Sequence, residues 1–211
     1  MPGPAMPTLK ATRRPACPRC LRPQRTCLCA WVRRTDNHVP LLLLQHPLEV
    51  RQAKGSARLL QLSLRDCRCE VGESFDPDAL ATWLGEGAAL LYPGPGATPG
   101  TAAPPLQQAP QRLVMLDGTW RQSRQLLRLN PLLQQLPRLA LPEPPSSLYR
   151  IRQAQRPEQR STLEAACLAL GRLEDRPAHY APLLLAFAAW VASVASVASL
   201  ASLASLGLRP S

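Results

Sequence analysis

Three short, unbroken apolar runs constrain this chain more than any other feature. Residues 39–45 end at His46-Pro47, residues 88–92 are closed by Pro93-Gly94, and residues 112–116 stop at Asp117. Each has the length of a buried strand and is too short for an ordinary helix. The segments between them carry helical signals. Residues 56–64 space Leu59, Leu60, Leu62 and Leu64 as a short helix does. Asp76-Pro77 is an N-cap followed by proline at the first helical position, opening a helix through Leu84. Residues 119–136 read as a helix interrupted at Asn130-Pro131, because proline restricts the residue before it. Residues 69–71 and 138–141 add two weaker strands. Ser161-Thr162-Leu163-Glu164 is a capping box before an apolar run to Leu170. Strands separated by helices predict an α/β domain with a mainly parallel sheet flanked by helices.

A length of 211 residues suits one domain with appendages better than two full domains. Residues 1–16 read as a disordered leader, with Met6 as an alternative start. Residues 17–35 form a cysteine knuckle, and 36–191 form the main domain. Residues 93–110, rich in Pro, Gly, Ala and Thr, are a surface insertion that the sheet can close without. Residues 192–211 are a low-complexity Ala/Ser/Leu tail, in which Val/Leu-Ala-Ser recurs every three residues. No charge occurs from Pro182 to Leu208, but Ala and Ser dominate beyond Val191. The expectation is a core helix over 183–191 with a low-complexity extension. A longer partner helix and a membrane span are the other readings. No charged region followed by an apolar stretch opens the chain, and Arg13-Arg14 precedes no apolar run. A cytoplasmic location without membrane attachment is expected.

The net charge is +11, and 23 of the 25 basic residues are arginine. Codon bias accounts for arginine over lysine better than for base over acid. The sign therefore points to a polyanionic partner, with nucleic acid first, and no obligatory protein partner is indicated. From Met1 to Thr35 there are eight basic residues and no acid. Inside that stretch lies Cys17-x2-Cys20-x6-Cys27-x-Cys29. Four soft thiolates at this spacing suit tetrahedral Zn2+, with no open position for a catalytic water. Such a site holds a fold and would display Arg19, Arg22 and Arg25 to a nucleic acid. An iron–sulfur cluster and free thiols are the alternatives. Cys67, Cys69 and Cys167 have no such neighbours and read as ordinary small buried residues.

Asp117-Gly118-Thr119-Trp120 sits where a strand gives way to a helix, and ligand crevices face the carboxyl ends of parallel strands. Asp117 either caps the next helix, with Trp120 in the core, or orients or deprotonates a substrate group beside a stacking Trp120. Tyr149-Arg150-Ile151-Arg152 precedes the Ser161 capping box. That box either simply starts a helix or also holds a carboxylate on its N–H groups. His46, in Gln45-His46-Pro47-Leu48-Glu49, reads as a hydrogen-bonded structural histidine. Lys54 and Arg58 follow it. Arg121, Arg124 and Arg128 share one helix face and either track phosphates or are simply solvated.

In these blocks the sequence resembles the DTW-domain proteins, the tRNA-uridine aminocarboxypropyltransferases. The family's Asp-x-Thr-Trp motif is Asp117 to Trp120 here. Its other marks appear in order, with the cysteine block from Cys17 to Cys29 and His46-Pro-x-Glu49. Tyr92-Pro93-Gly94 and Ser161-Thr-Leu-Glu-Ala165 complete the set. The likeness runs from Cys17 to about Val191. Where relatives read Lys-Asn-Thr, this chain has Lys54-Gly55-Ser56.

The resemblance implies a SPOUT-like knotted fold, S-adenosylmethionine as co-substrate, structural Zn2+ on Cys17, Cys20, Cys27 and Cys29, and tRNA as partner. It implies transfer of the 3-amino-3-carboxypropyl group to uridine N3, with methylthioadenosine leaving. A SPOUT-type RNA methyltransferase and a non-catalytic zinc-knuckle RNA-binding protein are the alternatives. It places Asp117 at the proton or the base, Thr119 in support, and Trp120 as a wall. Tyr92, Pro93, Gly94, Leu116, Ser161, Thr162 and Glu164 would line the cofactor. Lys54, Arg58, Arg121, Arg124, Arg128, Arg150 and Arg152 would meet RNA.

Overall fold

A computed structural model of the chain describes residues 15–50, 52, 56–93, 109–141 and 161–205, the side chains of 195–205 excepted. Five strands form one all-parallel sheet. They are β1 (Leu41–Gln45), β2 (Cys67–Val71), β3 (Ala88–Leu91), β4 (Arg112–Asp117) and β5 (Arg138–Leu139), in the order β2-β1-β4-β3-β5. All five residues of β1 are buried, as a central strand covered on both faces requires. The two expected weak strands exist with shifted bounds. β2 starts two residues earlier, at Cys67, because the Cys-Arg-Cys-Glu pattern of a half-buried edge strand carries little hydrophobic signal. β5 is only two residues long.

Alternation along the strands sorts the core into two layers. Leu41, Leu43, Leu113 and Met115 face α1 (Ala57–Ser63), α5 (Thr162–Leu173) and α6 (Ala181–Ser205). Leu42, Leu44, Leu90 and Val114 face α2 (Pro77–Leu84) and α4 (Pro131–Gln135). Each buried Leu side chain contributes roughly 1.5–3 kcal/mol. α3 (Trp120–Leu129) and α4 are separated at Asn130, as the Asn-Pro pair predicts.

Asn130 is almost fully buried and joins three segments. Its Nδ2 donates to the carbonyls of Leu126 (2.7 Å) and Glu73 (2.9 Å), and its Oδ1 accepts from the Phe75 N–H at 2.9 Å. Asn130→Ala removes the partner of the half-buried Phe75 N–H and of the Glu73 carbonyl, while the Leu126 carbonyl keeps the Asn130 backbone N–H, so we expect a loss of about 1–2 kcal/mol in urea unfolding. A loss within about 0.5 kcal/mol would show that water replaces the amide.

Past Val191, α6 keeps a helical backbone as far as Ser205. It is long and apolar enough to cross a membrane, yet Leu183, Ala186, Phe187 and Trp190 are buried against the domain. The leader up to residue 14, insertion residues 94–108 and residues 206–211 lie outside the described residues. The path of 142–160 between β5 and α5, which the implied knot depends on, lies outside them as well.

Candidate active site and metal centre

β1 and β4 are neighbours, but their chains leave in opposite directions. After β1 the chain turns outward to β2, and after β4 it passes β3 to reach β5. In a parallel sheet such divergence opens a crevice above the two carboxyl ends. The register puts Gln45 and Asp117 side by side at that point. Gln45 Nε2 donates to Asp117 Oδ2 at 2.6 Å, and the Thr162 hydroxyl donates to Oδ1. Asp117 is only 7% exposed. Its neighbours are polar donors, so this is a carboxylate held in place by hydrogen bonds. It ties β1, β4 and the start of α5 together.

The rest of the motif has separate work. Thr119, not Asp117, is the N-cap of α3. Its hydroxyl accepts from the Gln122 N–H at 3.3 Å, and Gln122 Oε1 accepts from the Thr119 N–H at 2.6 Å. Thr119 therefore caps α3, while the groups that support Asp117 are Gln45 and Thr162. Gly118 sits in a tight spot, since a Cβ there would lie 3.0 Å from Gln122 Cβ and that side chain would have to give by a few tenths of an ångström. Trp120 is not a core residue. It is 51% exposed, with its ring edge-on to Tyr92 at 5.6 Å between centroids. The reading of Asp117 as a helix cap with a buried tryptophan is thereby excluded.

Across the crevice, Ser161 caps α5 in the expected box, its side chain accepting from the Glu164 N–H and donating to Glu164 Oε2 at 2.7 Å. The Leu163 N–H is taken by Ser56 Oγ at 3.2 Å. A carboxylate at this helix start would compete with these bonds. Leu116 and Pro93 lie half-buried near the strand ends. His46 is structural, as its sequence context suggests. Nδ1 accepts from the Leu48 N–H, Nε2 sits 2.9 Å from Glu73 Oε1, and the backbone N–H donates to the Asp117 carbonyl.

Arg121, Arg124 and Arg128 are exposed along α3. Arg58 is otherwise engaged, with one guanidinium nitrogen donating to the Arg19 carbonyl at 2.6 Å and another to Gln61. It fastens the knuckle to α1. Lys54, Gly94, Arg150 and Arg152 fall outside the described residues.

The four cysteines do come together. Their sulfurs all lie within 4.8 Å of one another, with Cys17–Cys29 and Cys20–Cys27 both at 3.7 Å. A tetrahedron of sulfurs about 2.3 Å from a central ion has edges of about 3.8 Å, so the donor set fits a metal. Backbone N–H groups of Cys20 and Arg19 bring the Cys17 thiol down to about 6. Burial and the neighbouring thiols push Cys29 up to about 12. Leu21, with φ of 62°, turns the chain after Cys20. The knuckle is built into the main core. Cys20 and Leu28 are buried with Leu59, Leu183 and Trp190, and the Arg22 guanidinium lies 5.0 Å from the Trp190 ring. The other cysteines lie outside this cluster, Cys167 buried and Cys67 and Cys69 half-buried. Burial raises Cys67 and Cys167 to about 12 and, with the Asp117 charge, Cys69 to about 11.

A model of the DTW domain matches residues 14–195, taking in both the cysteine knuckle and the Asp117 crevice. The chain belongs to the DTW-domain family. It is 32% identical over 184 residues to the tRNA-uridine aminocarboxypropyltransferase 2 of Macaca fascicularis, covering 80% of this chain and 60% of that protein. The mouse protein of the same name is 33% identical over 180 residues, with the same coverage. The Drosophila melanogaster one is 32% identical over 174 residues, covering 78% of this chain and 69% of that protein. The chain thus spans about three-fifths of the length of the two mammalian relatives. No solved structure matches it.

Within this DTW domain, two site residues escape a reading by motif alone. Gln45 ends an otherwise apolar strand, a signal that acquires meaning only once it pairs with Asp117. Arg138 opens β5 beside Pro137 and looks like an ordinary strand residue. Its guanidinium stacks 5.3 Å from the Tyr92 ring, next to Trp120.

Proposed function

We propose that this chain transfers the 3-amino-3-carboxypropyl group of S-adenosylmethionine to N3 of a uridine in tRNA. The observation that carries this reading is a carboxylate fixed at the sheet's switch point, in a domain whose curated relatives are tRNA-uridine aminocarboxypropyltransferases. In the reaction the uridine N3–carbon bond forms and the carbon–sulfur bond breaks. The electron pair stays on sulfur, methylthioadenosine leaves, and the N3 proton is released. A sulfonium is already a good leaving group, so the protein's share is alignment and proton removal. Asp117, with both oxygens hydrogen-bonded and lone pairs to spare, orients the base or receives its proton. Trp120 and Tyr92 wall the crevice, with Leu116 and Pro93 on its floor. The exposed arginines of α3 meet phosphates.

The four-cysteine centre supports the same reading as a structural zinc site. Four thiolates leave no open coordination position, so the ion's contribution is to hold the fold. Arg19 and Arg25, exposed on the knuckle, extend the basic surface toward RNA. A cytoplasmic setting, with reduced thiols, is part of this proposal.

The test is incubation of the protein with tRNA and cofactor labelled in the methionyl carboxyl group. The label should enter tRNA and map to a uridine nucleoside. Label that stays with the cofactor while the tRNA gains a methyl group would make the chain a methyltransferase. Binding without any transfer would make it an RNA-binding protein.

A further inference from the structure

Arg138 is poorly accounted for by the fold. It is half-buried, and its Nη1 is shielded from solvent without a hydrogen-bond partner among the described residues. No ion pair reaches it among the described residues. A guanidinium stays charged in a protein, so leaving its N–H groups dry and unpaired is costly. Its neighbours make the cost greater. The group is stacked on Tyr92, and Arg124, one turn after Trp120 on the same face of α3, adds its positive charge to the field on the same phenol. The register sets Arg138 opposite Leu90, so its side chain shares the face on which Tyr92 packs, above which α3 starts. The exposed ring of Trp120 stands beside Tyr92, edge to face. Two arginines and an open aromatic face therefore meet at one corner of the crevice.

This is the chemistry of a nucleotide, with an anion for the guanidinium pair and a π-face for the base. A lone carboxylate would satisfy Arg138 but would leave Arg121 and Arg128 unexplained. They continue from Arg124 along α3 at helical spacing and are exposed. A row of cations fits a row of phosphates. We propose that Arg138 and Arg124 form a seat for an RNA phosphodiester, placed so that the attached nucleotide's base lies against Trp120. The inference rests on the tRNA reading above and adds where the substrate backbone is gripped. Arg138 acts as a positioning residue that holds the nucleotide in register with Asp117.

The experiment measures the affinity of the full chain for unmodified tRNA across salt concentrations, alongside cofactor binding. Each lost phosphate contact should reduce the slope of log affinity against log salt by about one. Arg138→Gln and Arg124→Gln should each lose about one unit of slope and roughly tenfold in affinity near 0.1 M salt, with cofactor affinity unchanged. Arg138→Lys should keep the slope, because the charge remains. Arg124 is exposed, so its variant reads cleanly even where Arg138→Gln folds poorly. Unchanged slopes in a folded protein overturn the proposal. So does loss of cofactor binding with tRNA affinity intact, which would hand Arg138 to the methionyl carboxylate. Because the readout is binding, a wild-type chain that grips tRNA through these residues but transfers nothing overturns the proposed reaction and leaves the phosphate seat standing.

Discussion

Replacing Asp117 with asparagine should reduce transfer of the aminocarboxypropyl group by about 100-fold or more while leaving the protein folded, general-base contributions being typically of that size. The distinction comes from the hydrogen bonds. Asparagine keeps the shape of the side chain. Its oxygen can still accept from Gln45 Nε2, and its amide can donate to the Thr162 hydroxyl, which can turn to accept. Stability should therefore change by no more than about 1 kcal/mol. What is lost is the negative charge and the ability to take a proton. Alanine removes the acceptor altogether and leaves the buried Gln45 amide unpaired, so Asp117→Ala should also cost about 1–3 kcal/mol in denaturant unfolding. Single-turnover transfer and urea melts of both variants check this. An asparagine variant with near-normal transfer would reduce Asp117 to a brace between β1, β4 and α5.

The second large effect concerns the cysteine centre. Replacing Cys20 with serine should abolish metal binding at the four-cysteine cluster and destabilise the whole domain, because the knuckle shares its core. Cys20 and Leu28 are buried among Leu59, Leu183 and Trp190, and Arg22 lies over the Trp190 ring. Structural zinc contributes on the order of 10 kcal/mol to small zinc-dependent folds, so even a part of that is large here. A fall in melting temperature of more than about 10 °C is expected, taking roughly 2–4 °C per kcal/mol for a chain of this size. Cys167→Ala, a buried thiol outside the cluster, should keep the full metal content and serves as the control. Metal analysis by mass spectrometry and thermal melts read both. Unchanged metal in the Cys20 variant would remove the structural-ion reading.

Much of the scaffold was legible because its signals are local. β1, β3 and β4 are unbroken apolar runs, the break at Asn130-Pro131 is set by proline sterics, and the Ser161 capping box depends on residues three apart, whereas the second box, at Thr119 and Gln122, was not read from the sequence. The edge strand β2 was half legible, because a partly exposed strand needs no apolar pattern. The site was legible as motifs but not as a constellation. Asp117 could be singled out, whereas its two donors come from residues 72 positions earlier and 45 later. Thr162 looked like an anion holder and proves to bind the carboxylate of its own chain. Arg58 looked free for RNA and instead ties α1 to the knuckle. The merging of the knuckle with the core rests in part on Leu28, an apolar residue between two ligands whose burial no spacing rule reveals.

The most direct measurement of the central claim is the identity of the small molecule released when the protein, tRNA and S-adenosylmethionine react. Transfer of the aminocarboxypropyl arm leaves methylthioadenosine, in equal amount to the uridine modified. Release of S-adenosylhomocysteine, or no release at all in the presence of bound tRNA, would contradict the account.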